Sequence, residues 1–275
     1  MRIAAGDWAA TLEPTGGAIA SLTRRGVDVL RPSPVGARDP LSLASFPLVP
    51  YANRIANGAF SFESERHVVP LNYPGQAHPL HGVGWLSAWS VTASDATSAT
   101  LAHAHAPDDA WPWRYAATQC IALDPSGLSV TLTLENTGDD VMPYSLGFHP
   151  YFARAGVATL AFVATGVWQA DGAMLPTQLA APDTLGDWSR GAPLARAALI
   201  DHCYTGWGGH ATITHDDGAI TLAGTGTPLL HFYLPPSQDF FCLEPVTAMP
   251  DAVNRGAAAK LAPGERREIA MTIRG

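Results

Sequence analysis

The chain has 275 residues and a formal charge of −8, from 24 acidic and 16 basic side chains. Apolar residues make up 47% and charged residues 15%, a balance that excludes a disordered chain. Lysine occurs once, at Lys260, and no basic stripe is present, which argues against nucleic acid or an anionic membrane surface as a partner.

The opening MRIAAGDWAATLEP has no apolar segment before Asp7 and Glu13, so no signal peptide is expected. Nor does any apolar run approach the ~18 residues of a membrane span. Strands are predicted at 8–12, 18–23 and 27–30, separated by Thr15-Gly16-Gly17 and Arg24-Arg25-Gly26. Residues 31–53 are Pro-rich and irregular. Hairpins follow: 59–62 with 67–71 across residues 63–66, 85–93 with 97–105, and 114–123 with 128–135 around Asp124-Pro125-Ser126-Gly127. The segment 194–200 is a candidate short helix. A further hairpin pairs 209–214 with 219–223 around residues 215–218, and the last strand covers 266–273. Two-residue alternation, with turns about every ten residues, predicts an all-β sandwich of many strands. No Pro/Gly/Ser linker divides the composition, so residues 1–275 read as one domain. Cys120, Cys203 and Cys242 lie far apart, without CxxC spacing and among apolar residues. They read as buried free thiols, which fits a reducing cytoplasm.

Four segments set polar groups beside aromatics or at strand ends, where a β scaffold presents its chemistry. Arg54, preceded by Asn53, is the sole charge between residues 40 and 62. It has to be paired or to face a ligand, because burying it alone is costly. His78 and His81 sit close together, but Pro79, Gly82 and Gly84 argue against a helix and hence against a metal-binding pair. A loop histidine beside glycines can instead approach a ligand closely. His149 lies inside the aromatic run YSLGFHPYF at 144–152. Desolvation there would tune its pKa around neutrality, which suits a general acid. Glu244 follows four apolar residues and precedes Pro245, and a glutamate so placed is paired, functional or exposed at a strand end. Two places read as structural. His103 and His105 share one strand face, expected to be exposed, and His231 in the apolar run 227–234 reads as a buried strand histidine. No GxSxG, P-loop, GxGxxG or HExxH occurs.

Taken in order, NRIANGAF (53–60), HPLHGVGWLSAWSV (78–91), GFHPYF (147–152) and LEPVTAMPDAVN (243–254) resemble motifs of the aldose 1-epimerase (galactose mutarotase) family. LIDHCYTGW (199–207) resembles the segment that carries the family's sugar-binding aspartate, and LAPGERREIAMTI (261–273) its last strand. The resemblance implies a large galactose mutarotase-like β-sandwich, a supersandwich with few short helices, and a sugar cleft across one face. It implies Glu244 as general base and His149 as general acid. Arg54, His81 and Asp201 would bind sugar hydroxyls, with Asn53 in the same motif. Phe148 and Val246 depart from galactose mutarotases, which commonly have Asn and Gln there, and predict fewer polar groups near the sugar.

The implied reaction interconverts the α and β anomers of a free aldose by acid–base ring opening and closure, without metal, nucleotide or other cofactor. A glutamate with an ordinary pKa of about 4.3 is ionised at pH 7, and a histidine at about 6.5 is partly protonated. Asp201 is a neighbour that would raise the latter. Two alternatives remain. A hexose-6-phosphate mutarotase would need further arginines for the phosphate, with Arg24, Arg25 and Arg255 the candidates. A non-catalytic carbohydrate-binding or sensing module would use the same scaffold. A cytoplasmic monomer or weak homodimer acting on a small-molecule sugar is expected.

Overall fold

The computed structural model describes residues 1–195, 198–216 and 218–275. Strands dominate it, and the 3-10 turns Pro40–Ser42, Ala56–Gly58 and Gly84–Leu86 are the helical pieces among the described residues. None of its helices is long and apolar enough to cross a membrane. One eight-stranded antiparallel sheet runs, neighbour by neighbour, through Val157–Phe162, His210–His215, Gly218–Thr225, Arg266–Arg274, Gly127–Asn136, Tyr115–Asp124, Ser98–His105 and Ser90–Ser94. A second runs through Pro176–Ala180, Gly166–Ala170, Ile200–Thr205, Leu229–Leu234, Phe240–Val246, Gly147–Phe148 and Pro47–Leu48, with Tyr151–Ala153 also on Phe240–Val246. The N-terminal strands Arg2–Ala5, Trp8–Glu13, Ala18–Arg24 and Val27–Asp28 form a four-stranded meander.

The period of two places the main core between the large sheets. Leu128, Val130, Leu132 and Leu134 alternate inward from the first sheet and meet Phe232, Phe241 and Leu243 of the second. Each such side chain contributes roughly 1.5–3 kcal/mol when fully buried. Phe240–Val246 is buried at every position. Phe241 and Leu243 enter the main core, while Phe240, Cys242 and Val246 join a second apolar cluster with Phe46, Trp85 and Tyr151. Cover on both faces explains why this strand reads as a continuous apolar run.

Several local expectations change. The hairpin after Ala59–Phe62 closes over two residues, with Phe62 paired to Glu65 and Glu63 and Ser64 at φ 48° and 67°. That left-handed geometry matches the twist of the flanking strands. Trp85 does not begin a strand; its indole N–H donates to the Leu80 and Gly82 carbonyls at 3.1 and 3.0 Å, and the strand starts at Ser90. Of the candidate helix 194–200, Arg196 and Ala197 lie outside the described residues, and the other positions are not helical. The turn expected at 215–218 includes Asp217, also outside them, and His215 pairs with Gly218. Cys203 and Cys242 are buried, but Cys120 is exposed, because strand parity turns it away from Gln119 and Ile121. His103 and His105 do share a face, but it is the inner one. His105 donates to the Trp111 carbonyl at 2.8 Å, and His103 Nε2 lies 3.2 Å from the Tyr115 hydroxyl.

Candidate active site

Three neighbouring strands build the floor. In Leu229–Leu234, Leu230, Phe232 and Leu234 enter the main core, so alternation turns His231 and Tyr233 to the opposite face. Register sets His231 across from Glu244 on one side and from Cys203 on the other, with Asp201 across from Tyr233. Asp201, His231 and Glu244 therefore emerge on one face. Loops bring Asn53, Arg54, His81 and His149 over it. These seven line a cleft of about 340 Å³ together with Arg31, Tyr151, Tyr233 and Phe240. The six residues predicted from sequence thus converge despite their separation along the chain.

The loops are tied to one another. Asn53 and His81 both adopt left-handed backbone, at φ 61° and 60°. The His81 N–H donates to the Asn53 carbonyl at 2.8 Å, and the Asn53 N–H donates to His81 Nδ1 at 3.2 Å. Because Nδ1 accepts, the His81 proton sits on Nε2, where the ring can donate into the cleft. Gly82 lets this loop lie against Val49-Pro50: at its φ of +75°, a Cβ would fall 2.4 Å from the Val49 carbonyl oxygen. Asn53 Oδ1 accepts from Arg54 Nη1 at 3.1 Å, and Arg54 Nη2 lies 3.3 Å from Asp201 Oδ2. Asp201 Oδ1 is 2.5 Å from His231 Nε2.

His149 is stacked between Phe46 and Tyr151, at 4.7 and 4.6 Å between ring centroids. Its Nε2 lies 3.3 Å from Glu244 Oε1. Glu244 Oε2 and His149 Nδ1 are buried without a hydrogen-bond partner among the described residues. Phe148 and Val246 are buried and do not line the cleft.

Burial sets the charges. It pushes the His149 imidazole down to about 3, with the nearby His231 adding to the effect. It pushes the Glu244 carboxyl up to about 8. Burial thus favours the neutral pair, with the proton on Glu244 rather than on His149. This inverts the expected assignment of an ionised Glu244 and a partly protonated His149, because desolvation outweighs the pull of Asp201. For His231 burial alone would lower the pKa, but Glu244, once ionised, and the Asp201 hydrogen bond raise it to about 10. Asp201 is brought down to about 2, because the His231 bond and the charges of His231 and Arg54 outweigh burial. Burial, and then the charges of His149, Arg54 and His231, hold His81 well below the usual histidine range.

The sequence reading missed His231 as a site residue and did not consider Arg31 at all. His231 left a signal: it is the polar member of LLHFYL whose parity opposes Leu230, Phe232 and Leu234. Arg31 left none, because it belongs to no motif and to an irregular stretch. His78 lies outside the cleft, where its Nδ1 accepts from the Asn57 N–H at 3.0 Å. His149, Cys242 and Glu244 bring ligand-type atoms within 4.8 Å of one another. They fit a cation poorly: burial and the neighbouring Glu244 push the Cys242 thiol well up, and Glu244 is itself raised, so both hold their protons.

The sequence model of the aldose 1-epimerase family matches residues 2–274. The uncharacterized protein YphB of Escherichia coli K12 is 30% identical over 94% of this chain and 92% of its own length. A crystal structure from Escherichia coli K12 superposes with a TM-score of 0.91 at 29% identity, covering 99% of this chain and 97% of the other. A galactose mutarotase-like protein from Clostridium acetobutylicum superposes with a TM-score of 0.88 at 20% identity, over 99% and 93% of the two chains, and shares the fold. On the match along nearly its whole length, the chain belongs to the aldose 1-epimerase family.

Proposed function

We propose that the protein is an aldose 1-epimerase, an isomerase that opens and recloses the ring of an aldose with Glu244 as base and His149 as acid. The observation that carries this reading is the buried contact of 3.3 Å between His149 Nε2 and Glu244 Oε1, at the floor of a hexose-sized cleft.

The chemistry balances on a single proton. When sugar binds, that proton passes from Glu244 to His149. The carboxylate then takes the proton from the anomeric hydroxyl, whose O–H electrons form the C1=O1 double bond. The C1–O5 bond breaks, and O5 takes the proton from His149. Rotation about C1–C2 presents the other face of the aldehyde, and the same steps in reverse close the ring. Each group contributes typically 10²–10⁴-fold. His81 Nε2–H, Arg54 and Asp201 hold hydroxyls, and the Asp201–His231 pair fixes the carboxylate that orients Arg54. Asn53 is a positioning residue: its side-chain Oδ1 accepts from Arg54, and its Nδ2 lies 3.5 Å from His231 Nε2.

Anomer exchange measured by NMR at equilibrium tests the reading. The protein should accelerate exchange of at least one aldose, with the rate unchanged by a chelator. Glu244→Gln and His149→Asn should each lower kcat by about 10²-fold or more. Near wild-type kcat in Glu244→Gln would remove Glu244 as the base, and no exchange with any aldose would leave a binding protein.

A further inference from the structure

The cleft carries more cation than a neutral sugar requires. Arg31, the first residue of the irregular stretch, lines it beside Tyr151 and Phe240. The guanidinium carbon sits 4.0 Å from the Tyr151 ring centroid and 4.4 Å from that of Phe240. Its Nη2 donates to the carbonyls of Leu41 and Leu43 at 2.7 and 3.0 Å, which fixes the fork in place. Among the described residues no carboxylate pairs with Arg31, and its Nε and Nη1 make no hydrogen bond. The cleft's other arginine is compensated: Arg54 faces Asp201 at 3.3 Å. That same carboxylate also serves His231 at 2.5 Å, and Glu244 is turned to His149. Asp201 thus faces both Arg54 and His231, and no carboxylate of the cleft is left for Arg31. This surplus sits in a concave site of a chain whose net charge is −8. A local field of that sign, enclosed by low-dielectric walls, draws an anion.

Position indicates where the anion belongs on the sugar. The mechanism above places His149 at the ring oxygen. C6 hangs from C5, the carbon bonded to that oxygen, so a C6 substituent falls on the His149 flank. Tyr151 spans this flank, stacked on His149 at 4.6 Å and under Arg31 at 4.0 Å. The geometry points to a subsite for an anionic group on C6, with Arg31 as its specificity-determining residue, so that the substrate is an acidic aldohexose. This rests on the epimerase reading. The shared chemistry is an oxyanion that accepts from the free edge of a guanidinium, whether carboxylate, phosphate or sulfate.

Exchange NMR on glucose, glucuronate, glucose 6-phosphate and glucose 6-sulfate separates these sources and tests the inference. At least one anionic sugar should exceed glucose in kcat/KM by about 10-fold or more, the scale of a charge-assisted hydrogen bond. Its KM should rise with salt. Arg31→Gln should cut that preference by a similar factor, mainly through KM, with Arg31→Lys intermediate. Inorganic phosphate should compete with glucose in the wild type, a measurement that does not depend on the variants folding. Equal kcat/KM for neutral and anionic sugars, or an equal loss for both in Arg31→Gln, would overturn the subsite and leave Arg31 as a brace for Leu41 and Leu43. Exchange of glucose alone would do the same while leaving the epimerase standing, whereas exchange of no sugar would remove the epimerase itself.

Discussion

His149 and Glu244 are ordinary residues with displaced protons. In the proposed mechanism the pair works only while it holds one proton, so its limits belong to the pair. A second proton enters at His149 below about 3, and the single proton leaves Glu244 above about 8. In the free protein kcat/KM should therefore be flat across neutrality and fall above about 8. A rate that instead declines through about 6.5 would show an imidazole of ordinary pKa. Stability follows the same proton. Glu244 binds it more tightly when folded, at about 8 against an ordinary value of 4.5, so this contribution is complete below 4.5 and is lost as pH rises through about 8. Glu244→Gln cannot lose that proton. Its Tm should change less than that of the wild type between about pH 5 and 9, as read by thermal unfolding. The sequence could nominate both residues from their apolar surroundings. It could not assign the proton, because desolvation depends on Phe46, Tyr151 and the strands that close over them.

At the scale of elements, the floor of the cleft is a matter of parity and register. Asp201, His231 and Glu244, from three neighbouring strands, face the cleft, while Ile200, Leu230, Phe232 and Leu243 beside them fill the core. The walls are loops whose placement depends on close backbone approach. Gly82→Ala would drive a Cβ to 2.4 Å from the Val49 carbonyl and strain a φ of +75°. It should destabilise the protein by more than about 1 kcal/mol. It should also raise KM about 10-fold by displacing His81, which steady-state exchange rates at several sugar concentrations would reveal. A variant with wild-type KM would show that His81 is held by its bonds to Asn53 alone. The hairpins around residues 124–127 and 215–218 were legible because turn residues interrupt clean alternation. The fully buried Phe240–Val246 strand was not, because cover on both faces erases the period of two.

Across the whole molecule, the N-terminal meander is fastened to the first large sheet through a buried polar contact. Gln119 Nε2 donates to the Gly17 carbonyl at 2.6 Å, and Gly17 lies close against the Trp89 indole. Gln119→Leu leaves that carbonyl unpaired and should cost about 1–3 kcal/mol. For a chain of this size that is a fall in Tm of roughly 2–4 °C per kcal/mol. Because Gln119 is remote from the cleft, kcat should stay at the wild-type value. An unchanged Tm would mean that apolar packing alone joins the two sheets.

Alternation, turn residues and the order of the family-like segments were enough to specify a β-sandwich of this family and to nominate six residues that the fold gathers in one cleft, since those features are local and survive in one dimension. His231 and Arg31 join the candidate site only through tertiary structure. His231 matters because register sets it between Asp201 and Glu244, and Arg31 because an irregular segment folds back over Tyr151. The charge of the cleft was likewise decided in three dimensions: neutral at the acid–base pair and positive around it. Burial and pairing distance fix it, and neither is a property of residues taken singly.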